Sequence, residues 1–155
     1  MKKSIEEVGM GELVTVTVGG QLFGIPVLQV QDVLGPQRIT RIPLAPAEIA
    51  GSLNLRGRIV TAIDLRVRLG LAASAERDKR MSVVVEHGGE LYSLLVDVVG
   101  EVLTLDRGEC ERNPGTLDAF WRDVSAGIFK LDGQLLVILD VARLLGFGPR
   151  LADAA

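Results

Sequence analysis

Two aspartates, Asp64 and Asp140, stand at the same place in two similar segments of the chain. A pair of carboxylates can perform general acid–base catalysis, so these residues are the first candidates for chemistry. Each aspartate, however, directly precedes a short helical pattern, LRVRL or VARLL, which is followed by Gly70 or Gly146. An aspartate there accepts from the first N–H groups of a helix, and the glycine can take a left-handed conformation. We therefore interpret both aspartates as helix caps.

Nucleophilic or metal chemistry would have to use His87 and Cys110, the only histidine and the only cysteine. No motif places His87 beside a serine or cysteine nucleophile. The two residues are too few for a protein-only zinc site, and one cysteine forms no internal disulfide. The Gly-rich turns lie between two strands, unlike a phosphate-binding loop, which leads into a helix. We predict no enzyme activity, no metal and no cofactor.

Arg56 is the polar residue best suited to a binding role. It forms a tight turn with Gly57 between two predicted strands. Its guanidinium is suited to planar, bidentate contacts with a carboxylate or with backbone. The matching position in the second half of the chain is Asp132, so Arg56 can equally be a solvated turn residue. On the residues alone, both interpretations stay open.

The elements that position these residues occur twice. Residues 131–147 align with residues 55–71 without a gap, and residues 83–103 align with residues 14–34. Each half is predicted as a strand, a Gly-Gly turn, further strands and a short helix. The expected fold is all-β, with two small pseudo-equivalent modules packed together.

Local signals define the first hairpin. Alternating apolar and polar residues predict a strand over residues 12–18, and Gly19-Gly20 predicts a two-residue turn into a strand over residues 21–27. Pro26 lacks an N–H group, which predicts that its strand lies at a sheet edge or is interrupted there.

Boundaries are marked by polar segments. Residues 1–11 and 148–155 are predicted to be flexible termini, and residues 72–80 an exposed linker between the halves. We expect a single domain over residues 12–147, made of two intertwined subdomains over about residues 12–71 and 81–147.

Composition limits the possible classes of protein. Of 155 residues, 48% are apolar and 24% are charged, which is ordinary for a globular protein. No apolar run is long enough to span a membrane, so we expect a cytosolic protein. Residues 1–81 carry 11 Lys/Arg and 8 Asp/Glu, a net +3, whereas residues 82–155 carry 6 and 12, a net −6. The asymmetry fits partner surfaces of opposite sign, and a chance spread of solvated charge explains it as well.

Four segments in order give the chain a family resemblance: residues 23–34, 39–70, 93–103 and 127–146. They include FGIPVLQVQDVL and the NLRG turn followed by a strand and IDLR. From about residue 13 to residue 147, the sequence resembles the CheW family of bacterial chemotaxis coupling proteins. The resemblance implies two SH3-like five-stranded β-barrels packed together, with short helices.

The same resemblance implies an adaptor without catalytic activity, recruited to the inner face of the membrane through receptors. Its implied partners are the cytoplasmic tip of methyl-accepting chemoreceptors and the regulatory domain of the histidine kinase CheA. Receptor-binding positions carry over to Val30, Asp32, Gly51 and Arg56, where a groove would accept a receptor helix. Kinase-binding positions carry over to Val27, Val102, Glu111 and Arg112.

Two alternatives accompany this interpretation. The first is a coupler of a non-flagellar chemosensory pathway, serving pilus motility or development. The second is a small-barrel nucleic-acid binder, which would need a basic groove with stacking aromatics and would bind in a salt-sensitive way. The aromatic content of 4% and the net charge of −3 argue against the second alternative.

Overall fold

A computed structural model describes residues 11–72 and 80–146 of the chain. Ten strands dominate it: β1 Glu12–Val18, β2 Gln21–Pro26, β3 Val30–Leu34, β4 Ile49–Leu55, β5 Arg58–Asp64, β6 Met81–His87, β7 Glu90–Val96, β8 Val98–Thr104, β9 Ser125–Leu131 and β10 Gln134–Leu139. Three one-turn helices accompany them: α1 Leu65–Arg68, α2 Ala119–Arg122 and α3 Val141–Leu144. The all-β class is therefore confirmed.

The predicted hairpins are present with the predicted turns. Gly19 and Gly20 have φ values of 59° and 83°, and they join β1 to β2 with Val18 opposite Gln21. Asp132-Gly133 joins β9 to β10 in another two-residue turn, with Leu131 opposite Gln134 and a positive φ of 81° at Gly133. These turns need positive φ angles, which explains why the local sequence was sufficient to identify them.

The strands form two five-stranded sheets, and each sheet takes strands from both halves of the chain. Sheet A has the order β8-β1-β2-β10-β9, and sheet B has the order β3-β6-β7-β5-β4. The halves meet through four strand pairs: two are parallel, β2 with β10 and β5 with β7, and two are antiparallel, β1 with β8 and β3 with β6. One copy of the sequence repeat therefore does not correspond to one sheet.

The two sheets are the five-stranded units that the resemblance implies, but neither closes into a complete barrel within the described residues. The edge strands β3 and β4 of sheet B do not pair with each other, and neither do β8 and β9 of sheet A. A connecting segment instead approaches one edge of each sheet, through the isolated bridges Thr40–Ser52 and Glu111–Ile128. We call the gap between β3 and β4 the sheet B opening and the gap between β8 and β9 the sheet A opening.

Of the two alternatives predicted for Pro26, the interrupted strand is confirmed and the edge position is not, because β2 ends at Pro26 and is the central strand of sheet A. Its missing N–H is tolerated because Pro26 ends β2, beyond the three residues that pair with β10. Gly70 has a φ of 81°, whereas Gly146 does not adopt the left-handed conformation.

Alternating residues of the curled sheets build three apolar clusters. The main cluster lies between the sheets and includes Phe23 and Val137 from sheet A with Val83 and Leu94 from sheet B. Sheet B encloses a second cluster and sheet A a third. Because strand side chains alternate between faces, β6 sends Val83 to the main cluster and the neighbouring Val84 to the second.

The linker prediction is wrong at its end. Arg80 is only 6% exposed, because its guanidinium lies against the buried carboxylate of Asp64. Residues 73–79 lie outside the described residues. So do the predicted flexible termini, except for Gly11, whose carbonyl accepts a hydrogen bond from the Leu105 N–H.

Candidate protein-interaction surface

The turn between β4 and β5 presents Arg56 to solvent. Arg56 has a φ of 53° and Gly57 a φ of 88°, and the Gly57 N–H donates to Asn54 Oδ1 over 2.9 Å. A left-handed conformation is uncommon for a residue with a Cβ. The Arg56 side chain is 75% exposed, and its Nη2 donates to Asp32 Oδ2 over 2.9 Å. The arginine is therefore exposed and at the same time oriented by Asp32.

This ion pair crosses the sheet B opening, since Asp32 lies on β3 and Arg56 follows β4. Asp32 is itself oriented, because its Oδ1 accepts from the Val33 N–H over 2.8 Å. The pair is surface-exposed and adds little to stability. Its geometric effect is to hold a guanidinium above the gap between the two edge strands.

Gly51 lies in the same opening and lets the connecting segment approach. Thr40 and Ser52 exchange two backbone hydrogen bonds of 2.8 Å beside it. A Cβ at Gly51 would collide with the Thr40 carbonyl and lie 2.8 Å from Ile39 Cγ2. The φ of 149° would also strain any other residue. Gly51 therefore shapes the opening and presents no side chain of its own.

Val30 differs from the other three predicted receptor-binding residues. It begins β3, is half-buried and packs against the main cluster. The structure therefore joins Asp32 to Arg56 by direct contact, places Gly51 in the same opening, and gives Val30 a supporting position at the start of β3.

The predicted kinase-binding residues are more widely spread. Val27 is half-buried in a 3₁₀ turn between β2 and β3, beside Leu28, which is 76% exposed. Val102 is 54% exposed on the edge strand β8. Glu111 bridges to Ile128 on β9 and lies 3.6 Å from Lys130, measured from Oε1 to Nζ, and Arg112 beside it is exposed. Three of the four thus lie around the sheet A opening, and Val27 lies apart.

Both aspartates first considered for catalysis cap helices, as predicted. Asp64 Oδ1 accepts from the Arg66 N–H over 3.0 Å at the start of α1. Asp140 Oδ1 accepts from the Arg143 N–H over 3.1 Å at the start of α3. Among residues 11–72 and 80–146, no three His, Cys, Asp or Glu side chains are grouped to hold a metal ion.

Sequence reasoning missed a charge cluster beside α1, in which Asp64 and Arg80 are buried and Arg66 and Asp97 are partly buried. Arg66 binds Asp97 through two nitrogens, over 3.0 and 2.9 Å, and Asp97 also accepts from the Gly19 N–H over 2.8 Å. Arg80 Nη2 lies 2.9 Å from Asp64 Oδ1, an ion pair that lacks the alignment of a hydrogen bond. Gly19 belongs to a sheet A turn and Asp64 to sheet B, so the cluster links the sheets.

The cluster stabilises the charged forms of Asp97 and Arg66. Burial alone would raise the pKa of Asp97, but hydrogen bonds from Arg66 and Gly19, with the positive charges of Arg66 and Arg80, lower the pKa below its ordinary value. The hydrogen bond to Asp97 raises the pKa of Arg66 despite burial. These groups are tied to each other, which favours a structural role over a catalytic one.

No helix in the described part of the chain is long and apolar enough to cross a membrane. Separately, exposed side chains surround the two openings, and among them Arg56 is oriented by both its turn and Asp32.

Comparison with known proteins agrees with this architecture. The chain is 31% identical over 140 residues to the chemotaxis protein CheW of Klebsiella aerogenes, covering 90% of this chain and 84% of the relative. It is 37% identical over 82 residues to protein PilI of Pseudomonas aeruginosa, covering 53% of this chain and 46% of PilI. The crystal structure of the scaffolding protein TtCheW from Thermoanaerobacter tengcongensis matches with a TM-score of 0.74 and 31% identity, covering 83% of this chain and 88% of that one. The CheW-like domain family matches residues 12–147, which include all ten strands, and the chain belongs to this family.

Proposed function

We propose that this protein is a non-enzymatic adaptor that couples methyl-accepting chemoreceptors to a CheA-type histidine kinase in chemotaxis. In this role it is cytoplasmic and reaches the inner face of the membrane by binding receptors. The receptor tip binds at the sheet B opening, where Val30, Asp32, Gly51 and Arg56 lie. The kinase regulatory domain binds through Val27 and through the sheet A opening with Val102, Glu111 and Arg112.

The observation that carries the proposal is the exposed Arg56, oriented by Asp32 over 2.9 Å at the top of a turn with a left-handed φ. Folding alone gains little from this arrangement, because an ion pair with 75% of the arginine exposed contributes at most about 1 kcal/mol. An oriented guanidinium is well suited to a carboxylate or carbonyl of a partner helix. A receptor tip is a helical hairpin, which fits a contact of a helix with a groove.

The receptor contact is tested by titrating a receptor cytoplasmic fragment from the same organism into Arg56→Glu and Arg58→Glu variants. Both arginines are exposed and lie in the same hairpin, so the two variants change charge equally. We expect Arg56→Glu to weaken receptor binding at least tenfold and Arg58→Glu to change it only a few-fold. Unchanged binding by a folded Arg56→Glu variant would remove the proposed receptor site.

The kinase contact has its own matched pair on β8. Val102 is 54% exposed and Val98 is 52% exposed on the same edge strand. We expect Val102→Asp to weaken binding of the kinase regulatory domain at least tenfold and Val98→Asp to affect it much less. Equal losses would mean that the whole strand and not the predicted position makes the contact.

A coupler of a pilus-type chemosensory pathway is the second candidate, and the similarity to PilI favours it specifically. Receptor fragments and kinase regulatory domains from both kinds of pathway in the organism distinguish the two candidates. Preferential binding of the pilus-pathway pair by about tenfold or more would replace the flagellar assignment. A nucleic-acid binder would instead show binding to DNA or RNA that weakens steeply with added salt.

A further inference from the structure

The helix α1 makes polar contacts to three elements on the sheet A side of the molecule, although it directly follows Asp64 at the end of β5 in sheet B. Its Arg66 donates two hydrogen bonds to Asp97, over 3.0 and 2.9 Å. Asp97 in turn accepts from the Gly19 N–H over 2.8 Å and donates its own N–H to the Thr17 carbonyl over 3.0 Å. Both partners of Asp97 lie in the β1–β2 hairpin, so the first contact connects α1 to sheet A.

The other two contacts are made at the end of α1. Arg68 donates to the Leu144 carbonyl over 2.7 Å and to the Arg143 carbonyl over 3.1 Å, in α3, which follows β10 of sheet A. The Leu69 carbonyl accepts from Trp121 Nε1 over 2.8 Å, and Trp121 lies on α2, between β8 and β9. A helix of four residues is therefore bonded to the sheet A side at three points.

The equivalent helix α3 directs its polar side chain differently. Arg143, the only polar residue of the helix sequence VARL, donates to the Ser125 carbonyl on β9 over 2.9 Å and to Asp140 Oδ2 over 3.3 Å. Both acceptors lie on the sheet A side, to which α3 itself belongs. The arginines of α1 thus reach from one sheet to the other, whereas the arginine of α3 does not.

Within the described residues, the chain passes between the sheets at two places that match in the sequence repeat. One is Asp97, between β7 and β8, and the other is the turn Val27–Gln29, between β2 and β3. In the alignment of residues 14–34 with residues 83–103, Leu28 takes the position of Asp97. Leu28 is 76% exposed and has no polar side-chain group. Of the two matching positions, only Asp97 is fixed by side-chain hydrogen bonds.

The polar contacts of α1 add a directional restraint to the apolar packing between the sheets. Packed layers can make small sliding movements, and the hydrophobic effect has no preferred direction. Hydrogen bonds and paired charges require particular distances and angles. We infer that α1 is a clamp that holds sheets A and B in one relative orientation. Because the two openings lie in different sheets, α1 also sets the angle between the openings, whichever partners bind there.

Residual dipolar couplings of the backbone amides of the full-length, ¹⁵N-labelled protein measure the relative orientation of the sheets. For the wild type, one alignment tensor should fit the amides of both sheets. The double variant Arg66→Gln, Arg68→Gln removes both guanidinium links and keeps good helix formers in α1. We expect each sheet of this variant to fit its own tensor, with the two tensors rotated relative to each other.

Arg143→Gln is the matched control, because it removes the arginine of α3 without removing a side-chain link between the sheets. One tensor should still fit both sheets of this control. If the double variant does not fold, the single variant Arg66→Gln takes its place in the same measurement. A single tensor for a folded α1 variant would overturn the clamp, and so would rotated tensors for Arg143→Gln.

Discussion

The two sheet openings share one plan and differ in charge. Each has a bridging segment, a glycine with φ near 150°, Gly51 or Gly127, and a two-residue turn beyond it. In sheet B, the turn residue Arg56 binds Asp32 across the opening. The equivalent residues in sheet A are Asp132 and Glu101, two acids that form no ion pair with each other.

This difference extends over both surfaces. Residues 32–58 carry a net +2, whereas residues 101–132 carry seven Asp/Glu and four Lys/Arg, a net −3. Surfaces of opposite sign attract different partners and repel each other's partners. We therefore propose that the opposite charges direct the two openings to different partners.

The largest difference in stability is expected between variants that replace one or the other capping aspartate, Asp64 or Asp140, by alanine. Asp64 is fully buried and faces Arg80, whereas the Asp140 side chain is 34% exposed and faces the exposed Arg143. Removing one partner of a buried ion pair costs about 3–5 kcal/mol, and removing a helix cap about 0.5–2 kcal/mol. Urea unfolding should therefore show Asp64→Ala to be the more destabilised variant. Equal losses would mean that Arg80 contributes nothing beyond the cap.

Alanine variants of Gly51 and Gly127, the glycines of the two openings, are expected to differ in stability. A Cβ at Gly51 would meet the backbone carbonyl of Thr40, whereas a Cβ at Gly127 would meet the Cys110 sulphur at 2.8 Å and the Glu111 carbonyl at 3.0 Å. Both alanine variants carry backbone strain of about 1–3 kcal/mol. We expect Gly51→Ala to lose roughly 1–2 kcal/mol more, because backbone yields less readily than a side chain. Thermal unfolding of the two variants measures the difference, and a larger loss for Gly127→Ala would contradict the described openings.

Because of the charge cluster that joins the sheets, the free energy of unfolding should depend on pH in the acidic range. The pKa of Asp97 is lowered in the folded state, so its contribution is present above the unfolded value, near 3.8, and is lost as the pH falls through the lower folded value. Between pH 4 and pH 2, the free energy of unfolding should therefore fall less steeply for Asp97→Asn than for the wild type. Parallel curves would show that Asp97 is not held by Arg66 and Gly19 in solution.

The smallest effect concerns the ion pair that distinguishes the openings. The double variant Asp32→Arg, Arg56→Asp exchanges the two residues and keeps an ion pair, so the free energy of unfolding should change by less than about 1 kcal/mol. Receptor binding should nevertheless fall at least tenfold, because the charge presented above the sheet B opening is reversed. Retained receptor binding would show that the pair serves the fold and not recognition.

The sequence predicts those structural features that are caused by residues close together in the chain. Gly19-Gly20 and Asp132-Gly133 specify hairpins through their own conformational freedom, and Asp64 and Asp140 cap the helices that they precede. The parallel pairing of β2 with β10 joins residues more than a hundred positions apart, and no turn residue encodes it. For the same reason the sequence left open whether the strand of Pro26 is an edge strand or ends there, and the structure shows a central strand that ends at Pro26.

The candidate sites follow the same rule. Arg80 resembles any charged linker residue until Asp64, sixteen positions earlier, is known to face it. Asp32 and Arg56 were grouped by family resemblance alone, and their contact appears only once the sheet curls.

The most direct test of coupling is the activity of the kinase in a mixture with receptor fragment and this protein. We predict that kinase activity changes when all three are present and not when any one is left out. The Arg56→Glu variant should abolish this change while still binding the kinase regulatory domain. Kinase control by receptor without this protein, or full control by Arg56→Glu, would contradict an adaptor that uses the sheet B opening.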